Sequence, residues 1–208
     1  MSTLATGTLR ATAVRRGRRL EYLTILWNSL EALIGIAAGL VAGSIALVGF
    51  GVDSVIEISS GATLLWRLRS DAHDERAERR ERIALRLVGL SFFALAIYVA
   101  AEAAKALWLR EAPERSLVGI GLAAVSLVAM PLLARAKRRV ARSLSSGALH
   151  ADSRQTDLCA YLSAILLGGL LLNATLGWWW ADPVAGLAML PIILKEGVDA
   201  MRGKTCCD

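Results

Sequence analysis

Two four-residue spacings carry the side chains best suited to chemistry: Asp53 with Glu57, and Gln155 with Cys159. Residues four apart on an α-helix lie ~40° apart around the axis and ~6 Å apart along it, so each pair projects from one helix face. Both pairs sit inside long apolar segments that read as membrane-spanning. An ionisable group at the bilayer centre costs about 2.5–3.5 kcal/mol even on the insertion scale, so groups kept there point to binding or moving something. Together the pairs offer two carboxylates, an amide oxygen and a thiolate. Four ligands of mixed type suit a tetrahedral ion, and the thiolate favours zinc, cadmium or another softer metal over magnesium or calcium. Cys and the carboxylates ligate in their deprotonated forms, so binding releases protons, the physical basis of metal–proton exchange. Each residue also has an ordinary role: a lone Cys as core, Gln as an interhelical hydrogen-bond residue, Asp53 as the partner of an Arg. The metal reading rests on the four residues converging at one depth.

The elements that must position them are transmembrane helices. The chain has 208 residues, 55% of them hydrophobic, and its mean hydropathy is +0.51. That is an all-α polytopic membrane protein rather than a soluble domain. A helix needs about 20 apolar residues to cross a bilayer core. On that basis six spans are expected: Tyr22–Val41, Ser44–Leu68, Ile83–Leu107, Ser116–Ala134, Ala151–Asn173 and Pro183–Met201. They divide the chain into a basic cytoplasmic tail at 1–20, a six-helix transmembrane domain at 21–202 and a short Cys-containing tail at 203–208. Trp178, Trp179 and Trp180 read as an interfacial anchor before the sixth span.

The net charge of +6 is concentrated between spans, where topology demands it, and a nucleic-acid partner is not expected. Arg15, Arg16, Arg18 and Arg19 precede the first span, Arg67 to Arg82 follow the second, and Arg135, Lys137, Arg138, Arg139 and Arg142 follow the fourth. The positive-inside rule therefore puts both termini in the cytoplasm. With a rise of ~1.5 Å per residue, Glu57 and Cys159 then lie ~16 and ~13 Å from the cytoplasmic ends of their spans, close enough in depth to meet. Asp71 to Arg82 mixes signs at helical spacing and reads as a solvated helical extension. Cys159, Cys206 and Cys207 form no disulfide framework, and no cleavable signal peptide is evident. No nucleophile–base pair or phosphate-binding loop points to an enzyme.

Other polar residues fall inside the spans. Glu31, with Asn28 one turn before it, is expected to couple protons, support the site or pair with a cation. Glu102 with Lys105, and Lys195 with Asp199, have the spacing of ion pairs near span ends. His150 reads as interfacial, and Pro131 as a kink in the fourth span.

Ala42-Gly43-Ser44-Ile45-Ala46-Leu47, followed by Asp53-Ser54-x-x-Glu57, resembles the second span of cation diffusion facilitator transporters. Ala148-Leu149-His150-Ala151-Asp152 resembles that family's lead into the fifth span, and Gly177-Trp178-Trp179-Trp180-Ala181-Asp182-Pro183 its turn into the sixth. The resemblance implies a proton-coupled, homodimeric exporter of a divalent metal across the plasma (inner) membrane. The cargo is zinc-like, with cadmium, cobalt or iron as alternatives, and no prosthetic group is implied. It implies ion ligands at Asp53 and Glu57. An ungapped match places Gln155 and Cys159 where the family has His and Asp, whereas a shifted register places Ser153 and Asp157 there. Asp157 lies ~200° around the helix from Gln155 and Cys159, so it cannot share their face and is expected in an access vestibule. The family's cytoplasmic C-terminal domain has no counterpart in the sequence, which is read as a short form. Its His-rich loop is reduced to Asp71, His73 and Asp74. These departures leave a second reading open, a non-transporting metal-binding or regulatory scaffold on a degenerate transporter fold.

Overall fold

A computed structural model describes residues 2–67, 75–144 and 147–202. Asp71, His73, Asp74, Cys206 and Cys207 lie outside the described residues. Among the described residues six helices follow one another: α1 (Ser2–Ala42), α2 (Ile45–Arg67), α3 (Glu75–Leu109), α4 (Leu117–Leu144), α5 (Gly147–Leu176) and α6 (Ala181–Met201). Five have an apolar stretch long enough to cross a membrane: Thr12–Ala42, Ile45–Thr63, Gly89–Leu109, Leu117–Leu144 and Asp152–Leu176. The sixth, α6, has 21 residues, which is ~31 Å of helix. Lys195, Glu196 and Asp199 in its last two turns lower its apolar share.

Several helices outrun their expected spans. α1 begins at Ser2, so the basic segment before the first expected span is helical from residue 2 onward. α3 begins at Glu75, in keeping with the expected helical extension there. α4 passes through Pro131 and beyond Ala134 to Leu144, carrying Lys137 to Arg142 on helix.

Large apolar side chains point outward: Leu33 is 70% exposed, Ile97 71% and Leu117 78%. Charged ones turn inward, among them Glu21, Glu31, Glu57 and Lys137. That inversion is the arrangement of a protein solvated by lipid, and the chain is a polytopic membrane protein. α2 is the central helix, packing on α1, α3, α5 and α6. Of its apolar window 61% is buried, against 33–44% for the other four windows. Leu47 and Phe50 of α2 join Val99, Met130, Leu166 and Met189 in the main apolar core.

Glycines let the central helix approach its neighbours. A Cβ at Gly39 would stand 2.8 Å from the Val48 backbone nitrogen, and one at Gly51 2.8 Å from that of Ile36, so α1 and α2 cross nearly backbone to backbone. Gly43, at φ +65°, turns the chain between them. The Ser44 N–H then bonds the Gly39 carbonyl at 2.9 Å, closing a Schellman turn. The Ser44 hydroxyl accepts the Leu47 N–H at 3.1 Å and so caps α2.

Candidate functional site

α5 presents Asp152, Thr156, Cys159 and Ser163 on a buried stripe with helical spacing. Glu57 of α2 is 3% exposed and meets that stripe. The Thr156 hydroxyl donates to Glu57 Oε1 at 3.2 Å. Cys159 is buried one turn further along the same stripe. Glu57 Oε2 is buried with no partner. Asp53 is buried one turn earlier on α2, in the electrostatic field of Glu57, Glu196 and Glu31. Gln155 is half-buried at the edge of the stripe, its Oε1 accepting the Ser60 hydroxyl at 3.0 Å. Asp157 faces α4, where it forms an ion pair with Arg138. Ser153 is buried and donates to the His150 carbonyl at 2.6 Å, while the His150 side chain is exposed.

Of the five residues singled out as metal ligands, the structure thus buries Glu57 and Cys159 on helices packed together and keeps Asp53 one turn from Glu57. It directs Gln155 to Ser60 and Asp157 to Arg138. Among the described residues, no three His, Cys, Asp or Glu side chains gather closely enough to hold a metal ion.

Below this contact lies a network that sequence reasoning did not assemble. Lys137 of α4, counted there as a loop cation, is wholly buried. Its ammonium bonds Asp152 Oδ2 of α5 at 2.5 Å and Glu21 Oε2 of α1 at 3.3 Å. Its third contact is Thr156 Oγ1 at 3.3 Å. The signal was present, because Lys137 falls on the stripe Ser126, Met130, Ala134, Lys137, Ala141 that α4 buries. A second network centres on Glu31. Trp27 Nε1 donates to its Oε1 at 2.6 Å, the Ser126 hydroxyl donates to the same oxygen, and Ser54 donates to Oε2 at 3.3 Å. Asn28 beside it is buried with both amide atoms unpartnered. Of the two expected ion pairs near span ends, Glu102–Lys105 forms at 3.4 Å. Lys195–Asp199 is not among the ion pairs of the described residues.

At the opposite end, Asp182 in the first turn of α6 reaches the start of α2. Its Oδ1 accepts the Ser44 hydroxyl at 2.5 Å and its Oδ2 the Ile45 N–H at 2.8 Å. A carboxylate there satisfies free amides and complements the helix dipole. A cavity of about 170 Å³ opens beside this junction, lined in part by Gly43, Glu102, Glu111 and Asp182.

Among the described residues the buried acids are Glu21, Glu31, Asp53, Glu57, Asp152 and Asp182, and the one buried base is Lys137. Excess carboxylate in a low-dielectric interior must be met by hydrogen bonds, protons or cations. Fold and site together define a helical membrane protein whose interior is built to accommodate positive charge. Residues 22–203 match the Cation efflux transmembrane domain, and the chain belongs to that family. An uncharacterized transporter of Methanocaldococcus jannaschii is 28% identical over 183 residues, covering 85% of this chain and 64% of its own. Transmembrane protein 163 of Xenopus laevis is 25% identical, covering 86% of this chain and 63% of its own. An uncharacterized transporter of Synechocystis is 25% identical, covering 87% of this chain and 61% of its own. The chain therefore spans a little under two thirds of the length of these curated relatives.

Proposed function

We propose that the protein exports a divalent transition-metal ion, zinc-like, in exchange for protons, through a site between α2 and α5. The observation that carries this reading is the buried Glu57 carboxylate, bonded by Thr156 on the stripe that also carries Cys159, with Asp53 one turn away and Oε2 unpartnered. A carboxylate and a thiol buried in one core offer donors with affinity for a soft divalent ion. Family membership and relatives named as transporters support movement of a cation. A cargo ion would be held by Asp53, Glu57 and Cys159 drawing together around it and released as they part. Cytoplasmic metal displaces their protons; protons arriving from the outer side then release it. Gln155 at the edge is the fourth candidate ligand, and Asp157 belongs to the approach rather than to the site. A homodimer in the plasma (inner) membrane, with both termini cytoplasmic, completes the proposal.

The pair Gln155 and Cys159, where the resembled family has His and Asp, favours a second reading, a membrane scaffold that binds metal without moving it. Flux separates the two. Purified protein in vesicles is given zinc, cadmium or cobalt under an imposed pH gradient. The exporter reading expects gradient-dependent flux that Asp53→Ala and Cys159→Ala each reduce at least tenfold. No flux of any of the three metals through the wild type overturns it. Flux indifferent to Cys159→Ala but abolished by Asp157→Ala would place the fifth-span pair at Ser153 and Asp157.

A further inference from the structure

We propose that Lys137, acting through the Thr156 hydroxyl, positions the Glu57 carboxylate for the transported cation. The inference rests on the exporter reading and adds a residue to its machinery. An ammonium has three donors and no acceptor. Lys137 has three oxygens within reach: Asp152 Oδ2 at 2.5 Å, Glu21 Oε2 at 3.3 Å and Thr156 Oγ1 at 3.3 Å. Toward Lys137 the Thr156 oxygen can only accept, so its single proton points elsewhere. Two acceptors await it, Glu57 Oε1 and the Asp152 main-chain carbonyl, each at 3.2 Å.

This relay has two consequences. Glu57 is held by Oε1 alone, which leaves Oε2 buried and unpartnered. The ion pairs of Lys137 are with Glu21 and Asp152, so its charge does not fill the place a cation would take at Glu57. When a cation draws Glu57 away, the Thr156 proton can turn to the Asp152 carbonyl and remain bonded. Lys137 thus orients the carboxylate through Thr156 without an ion pair to it, while its charge still acts on Glu57. A purely structural Lys137 would clamp α1, α4 and α5 together and leave cation affinity untouched.

The test measures zinc and cadmium binding by the purified full chain in a Cys206→Ser/Cys207→Ser background, with cadmium–thiolate absorption reporting Cys159. Thr156→Val keeps the side-chain shape and removes the hydroxyl; it is expected to weaken both metals about tenfold and the thiolate signal with them. Thr156→Ser restores the hydroxyl and is expected to restore wild-type affinity. Lys137→Gln is expected to weaken binding similarly and, combined with Thr156→Val, to add little, because both act along one relay. The proposal is overturned by wild-type affinity in Thr156→Val. It is equally overturned by losses that multiply in the double variant, or by a Lys137→Gln protein that melts earlier but binds normally. Should Lys137→Gln fail to fold, the Val and Ser variants at position 156 decide. Wild-type protein that binds neither metal overturns the exporter reading and this role with it, a result distinct from normal binding in Thr156→Val.

Discussion

At the scale of single residues, burial separates two cations that stand side by side in the sequence. Lys137 is wholly buried between Asp152 and Glu21, whereas Arg138 and its partner Asp157 are 26% and 28% exposed. Removing one partner of a buried pair leaves an uncompensated charge and costs about 3–5 kcal/mol, while partly solvated pairs contribute about 0–1 kcal/mol. Lys137→Met is therefore expected to lower the unfolding midpoint in detergent sharply and Arg138→Ala barely to move it. Equal shifts for the two would contradict the burial argument. The proposed ligands also set a pH dependence. If metal binds at Asp53, Glu57 and Cys159 it displaces protons, so zinc affinity is expected to fall as pH falls, measured by titration across the neutral range. The burial of Asp53 and Glu57 was legible in the sequence because both fall four apart inside an apolar span. That of Lys137 was not, because hydropathy registers its charge, while its burial depends on Asp152 and Glu21 from two other helices. Thr156 stayed hidden between Gln155 and Asp157 for a related reason. Its role comes from the direction in which α5 faces α2, and only packing sets that direction.

At the scale of elements, hydropathy located the membrane crossings but not the helix ends. Apolar runs mark where lipid must be faced, whereas Arg- and Glu-rich turns propagate a helix well into water. Hence α4 continues to Leu144 where a span was expected to end near Ala134. The motifs that carried the family resemblance have a physical basis in the packing: Ser44 and Asp182, 138 residues apart, bond each other and cap α2. Asp182→Ala removes the acceptor for the Ile45 amide and the Ser44 hydroxyl, and leaving a buried donor unmet costs about 1–3 kcal/mol. The α1–α2 crossing makes a sharper contrast. A Cβ at Gly39 would stand 2.7 Å from Val48 Cγ2 and 2.8 Å from the Val48 nitrogen, whereas a Cβ at Gly121 meets nothing within 4 Å. Gly39→Ala is thus expected to destabilise by about 1–3 kcal/mol through overpacking. Gly121→Ala is expected to be neutral or to stabilise by up to ~1 kcal/mol through helix propensity. Thermal unfolding of the two variants in detergent checks the contrast; a tolerated Gly39→Ala would mean that the helices cross less closely.

At the scale of the whole molecule, the up-and-down bundle has two unlike ends. One gathers the link from α1 to α2, the turn from α3 to α4 and the start of α6. It is tied by the Glu114 N–H to the Ala42 carbonyl at 2.7 Å and by Asn173 Nδ2 to the Pro113 carbonyl at 3.0 Å. This end carries Glu102, Glu111, Glu114 and Asp182 against Lys105, Arg110 and Arg115, with Trp178 and Trp180 stacked at 4.9 Å beside it. The other end carries Arg15 to Arg19 on α1, Arg138, Arg139 and Arg142 on α4, Arg154 on α5 and Arg202 after α6. Positive charge is retained on the cytoplasmic side during insertion, so the basic end is proposed to face the cytoplasm. On that orientation Lys137 lies on the cytoplasmic side of Glu57 and the Ser44–Asp182 junction on the outer side. A membrane-impermeant thiol reagent applied to intact cells distinguishes this orientation from its reverse. In a Cys206→Ser/Cys207→Ser background, Glu111→Cys lies at the exposed α3–α4 turn and is expected to label from outside, while Arg139→Cys labels only after the membrane is opened. The opposite pattern would turn the molecule over, exchange the sides on which Lys137 and Asp182 lie, and make the proposed cycle one of uptake.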